Sequence, residues 1–373
     1  MPHKTAIVIG AGIVGLATAY SLANKGYKVL VFERNPQAVG ASLRNFGMIW
    51  PVGQPDGRLY ERALRSKHIW KSILDEADLW YDEVGSLHLA YHPLEWQVMQ
   101  ELAEIQQSER PVSAISSSKA MQISPAANPE GLLGAYWSKD EMIVESRVAI
   151  QRLPGLFKEK YDIEFHFNTL ITRIEYPTVY SGSKSWSADR IFVCSGPDFE
   201  TLYPELFKDV PITKCKLQML RLQIQDDNWR IGPSLCGGLS LIHYKSFEAA
   251  PSIKDLKRFY QQHYQDYLEW GIHVMVSQNE DGALTVGDTH EYGLDLDPFN
   301  RDFLNEMILN YLKGFARFKN WEVQQNWLGV YPKLTNGETE FIHEPESGVM
   351  IINGLGGNGM TLSFGLADEI ITV

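Results

Sequence analysis

Two short apolar runs near the N-terminus enclose a helical segment. Residues 5–9 and 28–32 are too short for helices and rich in β-branched side chains, whereas the longer stretch 13–24 fits a helix. Gly26 follows it, at the position where a glycine commonly ends a helix. The pattern predicts a βαβ unit, and therefore a parallel sheet that is buried on both faces.

Helical and strand-like patterns then alternate up to about residue 210. Apolar positions at helical spacing predict helices over 58–78, 93–107 and 146–160. Shorter apolar runs predict strands over 85–90, 162–167, 170–176 and 186–194. The last strand ends in the small-residue turn Ser195-Gly196-Pro197.

The pattern changes between about 210 and 330. Strands are predicted at 217–224, 237–244, 272–278 and 283–287, with helices at 252–268 and 301–317. The turn residues of 279–282 indicate a hairpin, so this part is predicted to be a mainly antiparallel sheet with helices on one face. From Gly329 onward short apolar runs return, and the run 349–353 precedes a glycine-rich loop and a closing helix.

These changes predict a fold of class α/β plus α+β with two interleaved domains. A Rossmann-like domain with a parallel sheet takes residues 1–85, 141–209 and 329–373. A substrate domain on a mainly antiparallel sheet takes residues 86–140 and 210–328.

Charge and cysteine usage exclude several classes of function. With 34 basic and 46 acidic residues the net charge is −12, which argues against nucleic acid and anionic membranes as partners. The three cysteines, Cys194, Cys215 and Cys236, show no CxxC spacing and are odd in number. We therefore expect no disulfide framework, no metal site and a reducing, cytoplasmic location.

The uncharged stretch from Thr5 to Asn24 is 20 residues long, enough to cross a bilayer. It is interrupted by Gly10-Ala11-Gly12 and lacks the basic start and cleavage site of a secretory signal. We expect no integral membrane span.

The strongest chemical motif follows the first predicted strand. Gly10-x-Gly12-x-x-Gly15 opens the helix that contains Ile13 and Val14, and Glu33-Arg34 ends the second strand, with Glu33 18 residues after Gly15. Glycines at these positions allow a tight turn, a close approach to a pyrophosphate and close helix–strand packing, while the carboxylate can bind an adenosine ribose. The motif predicts a dinucleotide site for either NAD or FAD, the alternative being a chance glycine turn.

Three further segments favour FAD. Small polar residues soon after the second strand suit a chain that wraps a pyrophosphate and ring system, and a buried strand ends in a small-residue turn. A glycine-rich loop precedes the last helix, where backbone N–H groups can face a developing negative charge. The residues concerned are Ala41, Ser42, Asn45, Phe46 and Gly47, then Cys194, Ser195 and Gly196, then Gly354, Gly357, Asn358, Gly359, Met360 and Thr361.

With these segments together, the chain resembles the FAD-dependent oxidoreductases of the D-amino acid oxidase, glycine oxidase and sarcosine oxidase superfamily. More narrowly, it resembles a clade associated with phosphonate catabolism and proposed to oxidise aminophosphonates. The segments that carry the likeness are GAGIVGLATAY, GASLRNFGMIWPVGQP, GSLHLA, FVCSGPDFETLYPELF, CKLQM, WGIH, GDTHEYGLDLDPF, GVYP and GNGMTLSFGLADE. The resemblance implies that the Rossmann-like domain binds FAD.

Carried over residue by residue, the resemblance places Gly10, Gly12, Gly15 and Glu33 at the ADP portion. It implies that Ser42, Asn45, Phe46 and Gly47 lie beside the isoalloxazine, that Leu170 contacts adenine through its backbone, and that 357–361 lie beneath the pyrimidine of the flavin.

Departures from the family pattern concern covalent attachment and substrate binding. Arg44 stands where some relatives have a flavin-bonding histidine, and Tyr331 stands near the position of a flavin-bonding cysteine, so we expect non-covalent FAD. The arginine of a Gly-x-Arg-Pro pattern is missing from Gly329-Val330-Tyr331-Pro332, and Thr361 replaces a lysine. Both changes remove the usual clamp for an α-carboxylate.

The resemblance implies oxidation of a C–N bond: hydride passes from the α-carbon of a small amine to flavin N5, and the imine is hydrolysed. For 2-aminoethylphosphonate or a close relative, the dianion calls for Arg, Lys, His and Tyr donors. No catalytic side chain is assigned with certainty, and the substrate-binding candidates are Arg44, His243, Tyr244, His273, His290, Tyr331 and Lys333. Arg44 is the first candidate, while the two histidines that flank the hairpin also fit solvated edge positions.

Three alternatives remain open from the sequence. The same flavoenzyme could act on a D-amino acid, glycine or sarcosine; the chain could be an NAD-dependent dehydrogenase; or it could retain FAD without redox activity. The electron acceptor, oxygen or a quinone, is also left open.

Overall fold

The structure, a computed structural model, describes residues 4–226 and 228–371. The strands within these residues are β1 Thr5–Ile9, β2 Lys28–Phe32, β3 Met48–Ile49, β4 Tyr81–Asp82, β5 Ser86–Ala90, β6 Val112–Ser116, β7 Gly134–Ser138, β8 Met142–Val144, β9 Glu164–His166, β10 Arg173–Glu175, β11 Thr178–Ser181, β12 Lys184–Ser187, β13 Arg190–Val193, β14 Ile212–Leu222, β15 Ser234–Cys236, β16 Met275–Gln278, β17 Leu284–Gly287, β18 Glu291–Gly293, β19 Val323–Leu334, β20 Phe341–Glu346 and β21 Val349–Asn353.

The α-helices are α1 Ile13–Asn24, α2 Arg58–Ala77, α3 Pro93–Gln106, α4 Ser117–Ile123, α5 Ser146–Tyr161, α6 Pro204–Asp209, α7 Ile253–His263, α8 Gln265–Glu269, α9 Asp302–Phe315 and α10 Gly359–Ile370. Short 3-10 turns occupy Pro51–Gly53, Gly238–Ile242, Lys245–Ala249 and Gly356–Asn358.

The first large sheet is built around the predicted βαβ unit. Its order is β20-β21-β13-β1-β2-β9, and every pairing is parallel except that of β20 with β21 at the edge. The helices α1 and α10 pack against each other, and α10 also packs on α2. The uncharged stretch of residues 5–24 forms β1 and α1, which pack into this core. Burial in the protein interior therefore accounts for its lack of charge. No helix in the described ranges has the length and apolar character needed to cross a membrane.

The second large sheet has the order β18-β14-β17-β16-β15-β5-β7-β6, with β19 also paired to β14. All its pairings are antiparallel except that of β5 with β15, so the sheet is mainly antiparallel, as predicted. The hairpin between β16 and β17 is confirmed. Two smaller sheets, β3-β8-β4 and β10-β11-β12, complete the set.

The predicted strand 237–244 is wrong. The chain leaves the sheet after Cys236 and forms two 3-10 turns, so His243 and Tyr244 do not end a strand. Gly237 and Gly238 make this possible because neither has a Cβ. A Cβ at Gly237 would lie 2.5 Å from Tyr311 Cε1, and one at Gly238 would lie 2.2 Å from the Tyr260 hydroxyl. The apolar residues that suggested a strand are instead buried in the turn Gly238–Ile242.

Two other predicted elements are interrupted. The run 186–194 contains the end of β12 and the whole of β13, separated by a bend at which Asp189 accepts hydrogen bonds from Thr5. The predicted helix 252–268 is divided into α7 and α8 at Tyr264, whose φ of −132° is not helical. The proposed division into two domains stays a prediction, with β19 crossing its boundary at residue 329.

Candidate active site

A cavity of about 580 Å³ is lined by residues of both large sheets. One end lies at the carboxyl ends of β1 and β2, the location where open α/β sheets bind ligands. The other end is formed by residues beside the second sheet's strands, among them His273, which precedes β16, and His290, which lies between β17 and β18. One continuous space therefore joins the dinucleotide motif to the predicted substrate residues.

The glycines of the first motif bring backbone atoms close together. Gly10 has a φ of +104°, and a Cβ there would lie 2.3 Å from the Cys194 carbonyl oxygen. A Cβ at Gly15 would lie 1.8 Å from the Gly10 carbonyl oxygen, so α1 rests directly on the turn after β1. Neither position admits a side chain, and the first turn of α1 is held against the cavity.

Glu33 lies at the end of the cavity that contains the first glycine motif, which we call the dinucleotide groove. Its Oε2 accepts a hydrogen bond from the Ala11 N–H and its Oε1 one from the Asn35 N–H, both at 3.0 Å. The Ser42 hydroxyl accepts from the Ile13 N–H at 2.9 Å, which ties the next loop to α1. Arg34 is paired with Asp198 across the rim.

The loop 41–47 is closed by one asparagine. The amide nitrogen of Asn45 donates to the carbonyls of Ala41 and Ser42, while its oxygen accepts from the Gly47 N–H at 2.7 Å. The loop is consequently held in one shape along the cavity wall.

The late glycine loop ends at α10, whose first residues line the cavity. Asn358 is the N-cap residue of α10. Its side chain makes no capping hydrogen bond, but its Oδ1 accepts a hydrogen bond from Gln54 Nε2 at 3.0 Å. The Thr361 hydroxyl accepts from the Trp50 N–H at 2.9 Å. Because α1 also lacks a side-chain cap, two helix N-termini with partial positive charge face this space.

These features fit FAD. The close-packed glycines, the carboxylate at the end of β2 and the two uncapped helix starts form a cradle for a long anionic dinucleotide. All the predicted cofactor residues line the cavity except Gly12, Gly15 and Gly47, which pack closely against Ser42, Gly10 and Val144, respectively. Leu170 is among the lining residues, with 39% of its surface exposed.

A cluster of polar side chains lies at the other end. The rings of His243 and His273 overlap with centroids 3.7 Å apart, and that of His290 is 4.9 Å from His243. Asp288 lies between two of them, with Oδ1 3.3 Å from His273 Nε2 and Oδ2 3.9 Å from His290 Nε2. His273 and His290 are buried, so the expectation of solvated edges is wrong for both.

Burial controls the ionisation of this cluster. Desolvation lowers the pKa of His290 to about 4 and holds the pKa values of His273 and His243 well below the ordinary range. The His243 ring opens into the cavity on one side, yet surrounding protein atoms desolvate it. Desolvation also raises the pKa of Asp288.

Two tyrosines and a lysine complete this end. The Tyr244 hydroxyl contacts Met275 Sδ at 3.4 Å, and the buried Tyr331 lies beside the late loop, its hydroxyl 3.5 Å from the site of a Gly357 Cβ. Lys333 Nζ lies 3.1 Å from the Tyr292 hydroxyl at the rim. Six of the seven predicted substrate residues therefore gather around one end of the cavity.

Arg44 is placed differently from the other candidates. It lines the cavity, but its side chain is exposed and Nη1 donates to the Leu328 carbonyl at 3.1 Å. One nitrogen of its guanidinium is thus engaged by a backbone acceptor.

Sequence reasoning missed Asp288 and Gln54. Asp288 follows β17 directly and precedes His290 by two residues, a spacing that could have suggested a shared site. Gln54 follows an apolar turn, and nothing in its sequence neighbourhood points to a contact with Asn358.

Comparisons with known proteins agree with this architecture. The family model described as FAD dependent oxidoreductase matches residues 5–372. Glycine oxidase from Bacillus licheniformis is 22% identical over 370 residues, covering 96% of this chain and 89% of that protein. The tRNA 5-methylaminomethyl-2-thiouridine biosynthesis bifunctional protein MnmC from Chromohalobacter salexigens is 25% identical over 248 residues, or 64% of this chain, and the match spans only 34% of that longer protein.

Solved structures share the fold. Glycine oxidase from Geobacillus kaustophilus superposes with a TM-score of 0.76 at 17% identity, covering 99% of this chain and 95% of that one. FAD-bound L-alpha-glycerophosphate oxidase from Mycoplasma pneumoniae gives a TM-score of 0.74 at 18% identity, with coverages of 99% and 94%.

The chain belongs to the FAD dependent oxidoreductase family. It is an FAD-dependent oxidoreductase, and glycine oxidase is among the relatives that it matches over nearly the whole chain. The predictions of a mixed α/β fold, of FAD and of this enzyme class are confirmed.

Proposed function

We propose that the protein oxidises the C–N bond of a small amine that carries a phosphonate, such as 2-aminoethylphosphonate or a close relative. The observation that supports this most is the composition of the cavity end opposite the dinucleotide groove. Lys333, the hydroxyls of Tyr244 and Tyr331 and the imidazoles of His243 and His273 line that end, and each can donate a hydrogen bond to a compact oxyanion.

The donor set differs from a carboxylate clamp. An arginine binds a carboxylate through two parallel N–H groups of one planar fork. Here the Arg44 guanidinium donates a hydrogen bond to the Leu328 carbonyl. The remaining donors are single groups on separate residues around the cavity. Such an arrangement suits three oxygen atoms around a tetrahedral phosphorus better than two oxygens in a plane.

The remaining wall keeps water from the reacting carbon. Phe46, Trp50 and Met275 present apolar surfaces, and Met219 packs behind the glycine at the end of β17. Bound FAD supplies the two-electron acceptor for the hydride that leaves the carbon next to nitrogen. The protein's part is to hold the anionic end of the amine at the polar cluster and the carbon within the apolar part.

A matched pair of substrates tests the proposal. 2-Aminoethylphosphonate and β-alanine carry the same aminoethyl group and differ in the phosphonate or carboxylate. We expect turnover of the phosphonate with kcat/KM at least about tenfold above that of β-alanine, a difference of about 1.4 kcal/mol. Equal or reversed preference would contradict the phosphonate assignment.

A D-amino acid, glycine or sarcosine is the second candidate substrate. The likeness to glycine oxidase over nearly the whole chain favours it. Activity with one of these, and none with 2-aminoethylphosphonate, would establish that alternative.

A further inference from the structure

The histidine cluster brings potential metal ligands close together. One ring nitrogen from each of His243, His273 and His290 lies within 4.8 Å of the other two. Ligand atoms about 2.1 Å from a tetrahedral zinc ion are about 3.4 Å apart. The distances of Asp288 oxygens to His273 Nε2 and His290 Nε2, 3.3 and 3.9 Å, are close to that separation.

The orientation of His290 is fixed in the manner of a metal ligand. Its Nδ1 lies 2.9 Å from the Gly271 carbonyl oxygen, which can only accept, so Nδ1 carries the proton. Nε2 then presents its lone pair toward Asp288. A backbone carbonyl that sets the tautomer in this way is a typical outer-shell partner of a metal-binding histidine.

Unpartnered buried atoms point to the same place. Among the described residues, His273 Nδ1 and Asp288 Oδ1 have no hydrogen-bond partner, although both side chains are buried. Buried polar atoms are nearly always paired, and a divalent cation would satisfy the carboxylate oxygen of Asp288 together with one ring nitrogen of His273, since an imidazole offers a single lone pair. The sequence pattern does not indicate such a site, because the three histidines are dispersed between 243 and 290 without a recognised ligand spacing.

His243 completes the set by a side-chain rotation. Its ring now overlaps that of His273, closer than two ligands of one ion would lie. The ring lines the cavity and makes no side-chain hydrogen bond with the residues that the structure describes, so a rotation toward the ion would break none.

We infer that His243, His273, His290 and Asp288 form a site for a divalent transition metal, with zinc the best match to imidazole and carboxylate donors. The ion lies at the polar end of the cavity. An open coordination position there would bind a phosphonate oxygen of the substrate, a consequence that rests on the proposed function.

Zinc binding is measured on untagged, FAD-loaded protein, treated with EDTA and then dialysed into chelator-free buffer. Calorimetric titration with zinc sulfate gives affinity and stoichiometry, and elemental analysis after gel filtration gives retained metal. The variants are His290→Gln and His243→Gln, and the matched control is His263→Gln at the exposed end of α7. FAD content and circular dichroism verify folding.

The wild type and the control should bind a single zinc ion per chain. Each cluster variant should bind zinc at least about 100-fold more weakly, since even outer-shell losses cost about 10–100-fold. No zinc binding by the wild type, or undiminished binding by folded variants, would overturn the site.

Two combinations of zinc-binding and flavin-reduction results distinguish this inference from the proposed function. Zinc binding without flavin reduction by aminophosphonates would leave the metal site and refute the phosphonate substrate. Flavin reduction by 2-aminoethylphosphonate in a protein that binds no zinc would refute the metal site alone. Methylphosphonate should bind at least about tenfold more tightly to the zinc-loaded holoenzyme; equal affinity would remove the metal's contact with substrate.

Discussion

Glu141 offers a stability test that is independent of the substrate. Its side chain is fully buried, Oε1 accepts a hydrogen bond from the Val52 N–H at 3.0 Å, and Oε2 accepts one from the Ser86 hydroxyl at 2.9 Å. These bonds anchor the turn that precedes Gln54 at the cavity. Desolvation, reinforced by nearby Asp140, raises the pKa of Glu141 to about 7.

A raised pKa in the folded state makes the native protein bind the proton more tightly than the unfolded chain. The stability contributed by that proton is fully present below the unfolded pKa of about 4.5 and is lost as pH rises toward about 7. A shift of that size corresponds to about 3 kcal/mol at neutral pH and above. A glutamine side chain at this position would keep an acceptor for the Val52 N–H and cannot ionise.

Glu141→Gln should therefore gain stability relative to the wild type as pH rises. We expect urea unfolding to give similar free energies near pH 5 and an advantage for the variant of about 2–3 kcal/mol near pH 8. Glu104→Gln, at an exposed site on α3, is the control and should show no such trend. A Glu141→Gln difference that is the same at both pH values would refute the reasoning.

Four further variants test the cofactor and substrate ends. Glu33→Ala should lose FAD during gel filtration, because it removes the carboxylate and releases the loop bonded to it; a fully loaded variant would refute that role. Gly15→Ala should lower Tm and flavin content, since its Cβ would lie 1.8 Å from a carbonyl oxygen, while Gly155→Ala, with open space around its Cβ, should not. Lys333→Met should raise KM for 2-aminoethylphosphonate by about tenfold or more, from the loss of a charge-assisted contact of about 1.5–3 kcal/mol. Arg44→Ala should have a smaller effect on KM, because its Nη1 is bonded to a backbone carbonyl, and a larger one would place Arg44 in the substrate site.

The N-terminal unit was predictable because local signals agree there. Strand and helix limits at 5–9, 13–24 and 28–32 match the structure, since each apolar run is bounded by glycine or charge. The FAD groove follows from it, because the carboxyl ends of parallel strands and the start of α1 are fixed by this topology.

The substrate end was less predictable because tertiary contacts determine it. Residues 237–244 are apolar like a strand, but Gly237 and Gly238 fit under two tyrosines that lie at least 22 residues away along the chain. The burial of His273 depends on the turn that carries His243 over it. Arg44 could be placed on the cavity wall from sequence, but its partner Leu328 belongs to a distant strand.

Anaerobic reduction of the bound flavin by 2-aminoethylphosphonate tests the central claim most directly. The visible spectrum of the purified holoenzyme is recorded before and after addition of this amine, and in a parallel sample with D-alanine. We predict that the oxidised flavin band is lost with the aminophosphonate and retained with D-alanine. Loss of the band with D-alanine alone, or retention of the band with both amines, would contradict the phosphonate assignment.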